Sequence, residues 1–175
     1  ASNASEQGGG IYMEGNNVVD ETTLILANGS RIESNSADFD GGGIHCRDQG
    51  SILLASTVSV RNNNAGQDGG GVYLDNCSMR TYASFPGGIF FNRAERDGGG
   101  AALFNGALLE IVGGNSPFGG LGTAAAVTTI DANSAARHGG GLLLRDLDTE
   151  AVMVDADLSE NQADADGDGF GSGGG

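Results

Sequence analysis

The chain has no lysine at all. Its eight basic residues are all arginine, set against 23 acids in 175 residues, and the formal net charge is −15 at pH 7. So little positive charge cannot neutralise a run of phosphates, which excludes nucleic acid as a partner. No apolar run approaches the ~20 residues of a membrane-spanning helix, and no charged-then-apolar leader of the secretory type stands at the start. Glycine is abundant, 33 residues, but it does not recur at every third position, which excludes collagen. Cysteine occurs only twice.

What the chain does have is one pattern, repeated. It reads apolar residue, two residues, Asn, one residue, Ala, three residues, Gly-Gly-Gly. Full copies run Ile32 to Gly43, Val60 to Gly71, Ile89 to Gly100 and Ile130 to Gly141. A copy with degenerate glycines runs Leu158 to Gly169, and a truncated one opens the chain with Asn3, Ala4 and Gly8-Gly9-Gly10. The anchor alanines Ala4, Ala37, Ala65, Ala94, Ala135 and Ala163 are 33, 28, 29, 41 and 28 residues apart. A fixed period with variable insertions is the signature of a solenoid. We expect one segment, 1–175, and, because the sequence opens and closes in mid-repeat, a slice of a longer solenoid. The surplus residues of the first and fourth units predict surface loops near 16–21 and 113–122.

Within a unit, three short β-branched or alternating runs are separated by polar and glycine-rich turns. In one unit these are 43–46, 51–55 and 57–60. Equivalent positions match between units and not within them, so each strand should pair with its counterpart one coil away and not form a hairpin. The reading is an all-β, right-handed parallel β-helix of about five to six coils of roughly 28 residues, right-handed because wound parallel connections strongly prefer that hand. Stacking then predicts inward columns Ile11, Ile44, Val72, Ala101, Leu142 and Met13, Cys46, Leu74, Leu103, Leu144. Between them runs an outward column of Tyr12, His45, Tyr73, Ala102, Leu143. Asn35, Asn63, Asn92, Asn133 and Asn161 should form a structural ladder at one corner, their amides bonded to backbone and to each other. The glycine triplets are expected at a separate corner. Cys46 takes an inward apolar place and Cys77 starts a different strand. Their unequal places in the repeat favour two buried free thiols over a disulfide between adjacent coils.

Two groups of acids are candidate metal ligands, with calcium the cation they suggest; no other cofactor is expected. Asp164, Asp166 and Asp168 have the Asp-x-Asp-x-Asp-Gly spacing of the first half of a calcium loop, although position twelve is Gly175 and not an acid. Asp40, Asp68 and Asp97 each precede a glycine triplet, so stacking would bring like charges together unless calcium, water or a nearby arginine (Arg61, Arg93, Arg96) relieves them. Candidate binding residues are the outward Tyr12, His45 and Tyr73 and, on the second insertion, Phe118. No catalytic residue is assigned. Asp146, Asp148 and Glu150 alternate and would share a face on a strand, as a hydrolase needs, but read equally as a solvated turn. The two histidines lie near no Ser or Cys arrangement.

Two motif pairs, Gly41-Gly42-Gly43-Ile44 with Ile32-Glu33-Ser34-Asn35 and Gly69-Gly70-Gly71-Val72 with Val60-Arg61-Asn62-Asn63, resemble the repeats of the chlamydial-type polymorphic outer-membrane proteins. Those repeats are described by Gly-Gly-Ala-Ile and Phe-x-x-Asn; here the third position is Gly, and Ile, Val or Leu replaces Phe. The resemblance covers nearly the whole chain. It implies a right-handed β-helix displayed on a surface as an adhesive passenger. The expected function is therefore a non-enzymatic extracellular or cell-surface scaffold, stalk or adhesin. Its partners would be neighbouring coils or protein chains at both open ends, and surface glycans or host proteins along its side. The alternative is a β-helix that binds or degrades polysaccharide.

Overall fold

The structure, a computed structural model, describes residues 4–15, 22–27, 29–55, 57–82, 87–113 and 128–174. Among these there is no helix. Twenty short strands form four sheets of five, parallel throughout, wound as a β-solenoid of about four turns. The first sheet stacks Ile11–Glu14, Ile44–Arg47, Val72–Asp75, Ala101–Phe104 and Leu142–Leu144. The second stacks Thr23–Leu26, Ser51–Ala55, Ser78–Tyr82, Leu108–Val112 and Glu150–Val154. The third stacks Arg31–Glu33, Ser59–Arg61, Gly88–Phe90, Thr128–Asp131 and Ala156–Ser159.

The fourth, a corner sheet, differs from the three-strand unit expected. It consists of two-residue strands, Ala4–Ser5, Ser36–Ala37, Asn64–Ala65, Arg93–Ala94 and Ser134–Ala135. Two residues are too few to show alternation, so only pairing with the neighbouring coil defines them.

Register follows the repeat. Val72 pairs with Ile44 on one side and Ala101 on the other, and Ile11 and Leu142 complete the column. The interior is a stack of aliphatic layers. Ile44, Ile52, Leu54, Leu74, Leu103, Leu109, Ile111 and Ile130 are all fully buried. Removing each such side chain from water contributes about 1.5–3 kcal/mol. The anchor alanines Ala37, Ala65, Ala94 and Ala135 are buried as well.

The triplet 69–71 shows why three glycines are needed. Gly69 turns with φ +66°. A Cβ on Gly70 would run into the carbonyl oxygens of Arg93 and Gly99, and one on Gly71 would lie 2.8 Å from Nδ2 of Asn92. The third glycine thus abuts the asparagine ladder. Glycines and asparagines pack against each other, where separate corners were expected.

The disulfide expectation is overturned. Cys46 and Cys77 are bonded, with a Cα–Cα distance of 6.2 Å, and there is no free cysteine. Ser51 pairs with Ser78, so Cys77 stands directly over Gly50. A Cβ on Gly50 would lie 2.5 Å from the Cys46 sulfur and 3.4 Å from that of Cys77. Places that are unequal within the repeat become neighbours where the coil bends, and the missing side chain of Gly50 leaves the space in which the two sulfurs meet.

Candidate functional site

The five asparagines form one directional chain of hydrogen bonds. The backbone N–H and Nδ2 of Asn63 both donate to Oδ1 of Asn92, each at 3.0 Å. Those of Asn92 donate to Asn133, and those of Asn133 to Asn161. Asn35 donates to Asn63 in the same way. The second proton of each internal amide goes to a carbonyl of the preceding coil, Ile32 for Asn63, Val60 for Asn92 and Ile89 for Asn133. Every amide atom of these internal members is used, which is how a polar side chain survives burial.

The aspartate column is a second ladder. Oδ1 of Asp40 accepts the backbone N–H of Asp68, Oδ1 of Asp68 that of Asp97, and Oδ1 of Asp97 that of His138. Asp68 and Asp97 are buried. Arg96 grips Asp68 with Nε and Nη2. Asp97 takes Arg137 at 3.1 Å and Arg145 at 3.4 Å. Of the three arginines nearest in sequence, only Arg96 serves the column. Arg61 pairs with Glu33 and Arg93 with Glu95, and Arg137 and Arg145 arrive from the following coil. Asp40, at the column's end, has no ion-pair partner among the described residues. Burial pushes its carboxyl above the usual aspartate range, against the opposing pull of the Asp68 N–H.

Outside the first sheet the aromatic residues stack. Tyr12 and His45 lie with ring centroids 5.3 Å apart, and His45 and Tyr73 4.7 Å apart. The column ends on Phe104, 5.2 Å from Tyr73. Sequence reading placed Ala102 in that position. Ala102 does pair with Tyr73, but it is too small to reach, and the Phe104 ring covers the gap from two residues further along. Arg47 lies over the Tyr12 ring at one end and Arg145 over the Phe104 ring at the other. His45 is 3% exposed, its Nδ1 has no hydrogen-bond partner, and burial lowers its pKa. Phe118 and both expected loops fall on residues outside those described, apart from Gly113 at the edge of the second loop.

Asp164, Asp166 and Asp168 come together, with one carboxylate oxygen from each within 4.8 Å of the others. Part of their acceptor capacity is already used, since Asp164 accepts from the Gly169 N–H and Asp168 from that of Phe170. Among the described residues these three are the best placed to hold a cation. Asp68 and Asp97 have their oxygens occupied by arginine and backbone. Asp146 and Asp148 do not share a strand face with Glu150. Both have positive φ, +77° and +60°, in a turn that precedes the strand Glu150–Val154.

Neither a protein-family model, a curated protein nor a solved structure matches this chain.

Proposed function

We propose that this chain is a non-enzymatic module of the cell surface or extracellular space, a right-handed β-helix of five to six coils that serves as a rigid scaffold, stalk or adhesin. The observation that carries the reading is the use made of the polar side chains. The buried asparagines and aspartates bond to the next coil, and most arginines pair across coils as well, as Arg47 with Glu14, Arg61 with Glu33 and Arg80 with Glu110. Groups tied up this way stiffen a rod and are withdrawn from chemistry. The Cys46–Cys77 bridge supports an extracellular or surface setting, because structural disulfides persist in oxidising compartments.

The test is incubation of the purified, oxidised chain with a panel of neutral and acidic polysaccharides, with product sizes read by mass spectrometry. Unchanged chain lengths are expected. New reducing or unsaturated ends would overturn the reading in favour of a β-helix that degrades polysaccharide.

A further inference from the structure

Seven of the eight arginines stand in an ion pair with a carboxylate. Arg31 alone has none among the described residues, and it is exposed. It projects from the outer side of the third sheet, where Arg31 pairs with Ser59 and Glu33 with Arg61. The two guanidinium groups are thus diagonal neighbours on one face, a separation of roughly 7–8 Å at the backbone. Between them is a shallow depression of about 290 Å³ lined by Gly29, Arg31, Thr57, Ser59, Arg61 and Phe90.

The lining has three distinct chemistries. Arg31, which has no ion-pair partner among the described residues, offers a planar fork of N–H donors, which matches a carboxylate in two-point contact. Arg61 spends Nη2 on both oxygens of Glu33, while its buried Nε has no partner. Thr57 supplies a half-buried hydroxyl and Ser59 one at the floor, only 6% exposed. Gly29 leaves the first of these uncovered, for even a Cβ there would lie 3.5 Å from Thr57 Oγ1. Phe90 supplies an apolar surface. Its ring lies back over Gly88, where a Cβ would come within 2.7 Å of Phe90 Cε1, so that glycine lets the ring lie against the sheet.

We propose that this groove binds an acidic saccharide of the uronate class, with Arg31 holding the carboxylate, Thr57 and Ser59 meeting ring hydroxyls, and Phe90 lying against the apolar C–H face of the sugar. A pyranose acid is the ligand that needs all three chemistries in so small a space; the volume is at the low end for ligand clefts, which suits one sugar unit at the end of an oligomer. Elsewhere a chain of net charge −15 repels anions, so the one guanidinium without a carboxylate partner among the described residues decides where such a ligand settles. The site deepens the surface-module reading above by naming a ligand class for it, and it rests on that reading only for its biological setting.

The test is an NMR titration of the oxidised chain with galacturonate trisaccharide, with galactose trisaccharide and acetate as the other arms. Saturable shifts at Thr57, Ser59 and Phe90 are expected with the uronate alone. Arg31→Gln should weaken binding about tenfold or more, the loss of roughly one charge-assisted contact, and Phe90→Ala should weaken it also. Arg80→Gln removes the same charge from the second sheet and should leave binding unchanged. Thermal melts of each variant establish that the coil is intact. No saturable uronate binding, equal binding of the neutral trisaccharide, equal affinity for acetate, retention of binding in Arg31→Gln, or an equal loss in Arg80→Gln would each overturn the proposal. None of these outcomes produces new chain ends in a polysaccharide, so failure here is distinct from failure of the non-enzymatic reading.

Discussion

Cys46 and Cys77 join consecutive coils through the space that Gly50 leaves empty, and the Gly50 N–H donates to the Cys77 sulfur at 3.3 Å. The bridge spans 31 residues, about one turn of the solenoid. It therefore closes a coil that the unfolded chain would otherwise have to close at its own entropic cost. Cys77→Ala should lower stability by about 2–4 kcal/mol. Alanine fits there, since the next residue in that column is Ala107, buried without strain. Urea denaturation of the oxidised parent against the variant measures this, and the parent under reducing conditions should fall toward the variant. Equal midpoints for all three would contradict the staple.

Asn92 sits in the middle of its ladder. Asn92→Ala removes its own two side-chain donations and leaves the Asn63 N–H and amide without the oxygen they share. Stranding buried donors costs about 1–3 kcal/mol for each group, so a total loss on the order of 3 kcal/mol is expected. Asn35→Ala deletes a donor and strands none among the described residues, and should cost about 1 kcal/mol. Chemical denaturation of the two variants side by side checks the difference.

His45 carries a pH dependence. It is packed between Tyr12 and Tyr73, and burial lowers its pKa from the ordinary 6.5. A hydrogen bond to the Asp40 backbone pulls the other way, as do Asp75 and Glu14, while Arg47 adds to the lowering. The unfolded chain binds the proton more readily, so this residue's contribution is complete above about pH 6.5. It declines as pH falls from there toward the folded-state value. Melting temperature followed from pH 8 to pH 5 should drop more for the parent than for His45→Phe, which keeps the stack and does not titrate. Parallel curves would remove His45 as the cause.

Asp40 has the opposite sign. Its carboxyl is raised by burial, so the folded state holds the proton more tightly and the ionised form opposes folding at neutral pH. Asp40→Asn keeps an oxygen for the Asp68 N–H and discards the charge. A higher melting temperature at pH 7 is expected, with the advantage shrinking as pH falls into the carboxylate range. A variant less stable at pH 7 would contradict it.

The parts of this molecule legible in sequence are those that depend on the period alone. A repeat that recurs in register puts Ile44 beside Val72 and Asn63 beside Asn92 whatever the detailed shape of the coil, so columns and ladders could be read off directly. The arginine partners of Asp97 were not legible. Arg137 belongs to the next corner and Arg145 to the turn after the next strand, and distance along the chain said nothing about how those side chains fold back. Phe104 was missed for a related reason. It completes the aromatic stack from a position outside the column's frame, because Ala102 leaves a gap that a larger neighbour fills.

The sequence by itself determined the parallel stacking, the register and most of the core, since these follow from which residues recur at equal intervals; Leu144, expected to face inward, is exposed, and Ala102, expected to face outward, is buried. Tertiary structure alone decided what happens at the bends. There the backbone direction changes within two or three residues, and contacts depend on angles that no spacing encodes. The short corner sheet, the meeting of Cys46 with Cys77 and the packing of glycine against asparagine all belong to that second class, as does Arg31, which has no ion-pair partner among the described residues.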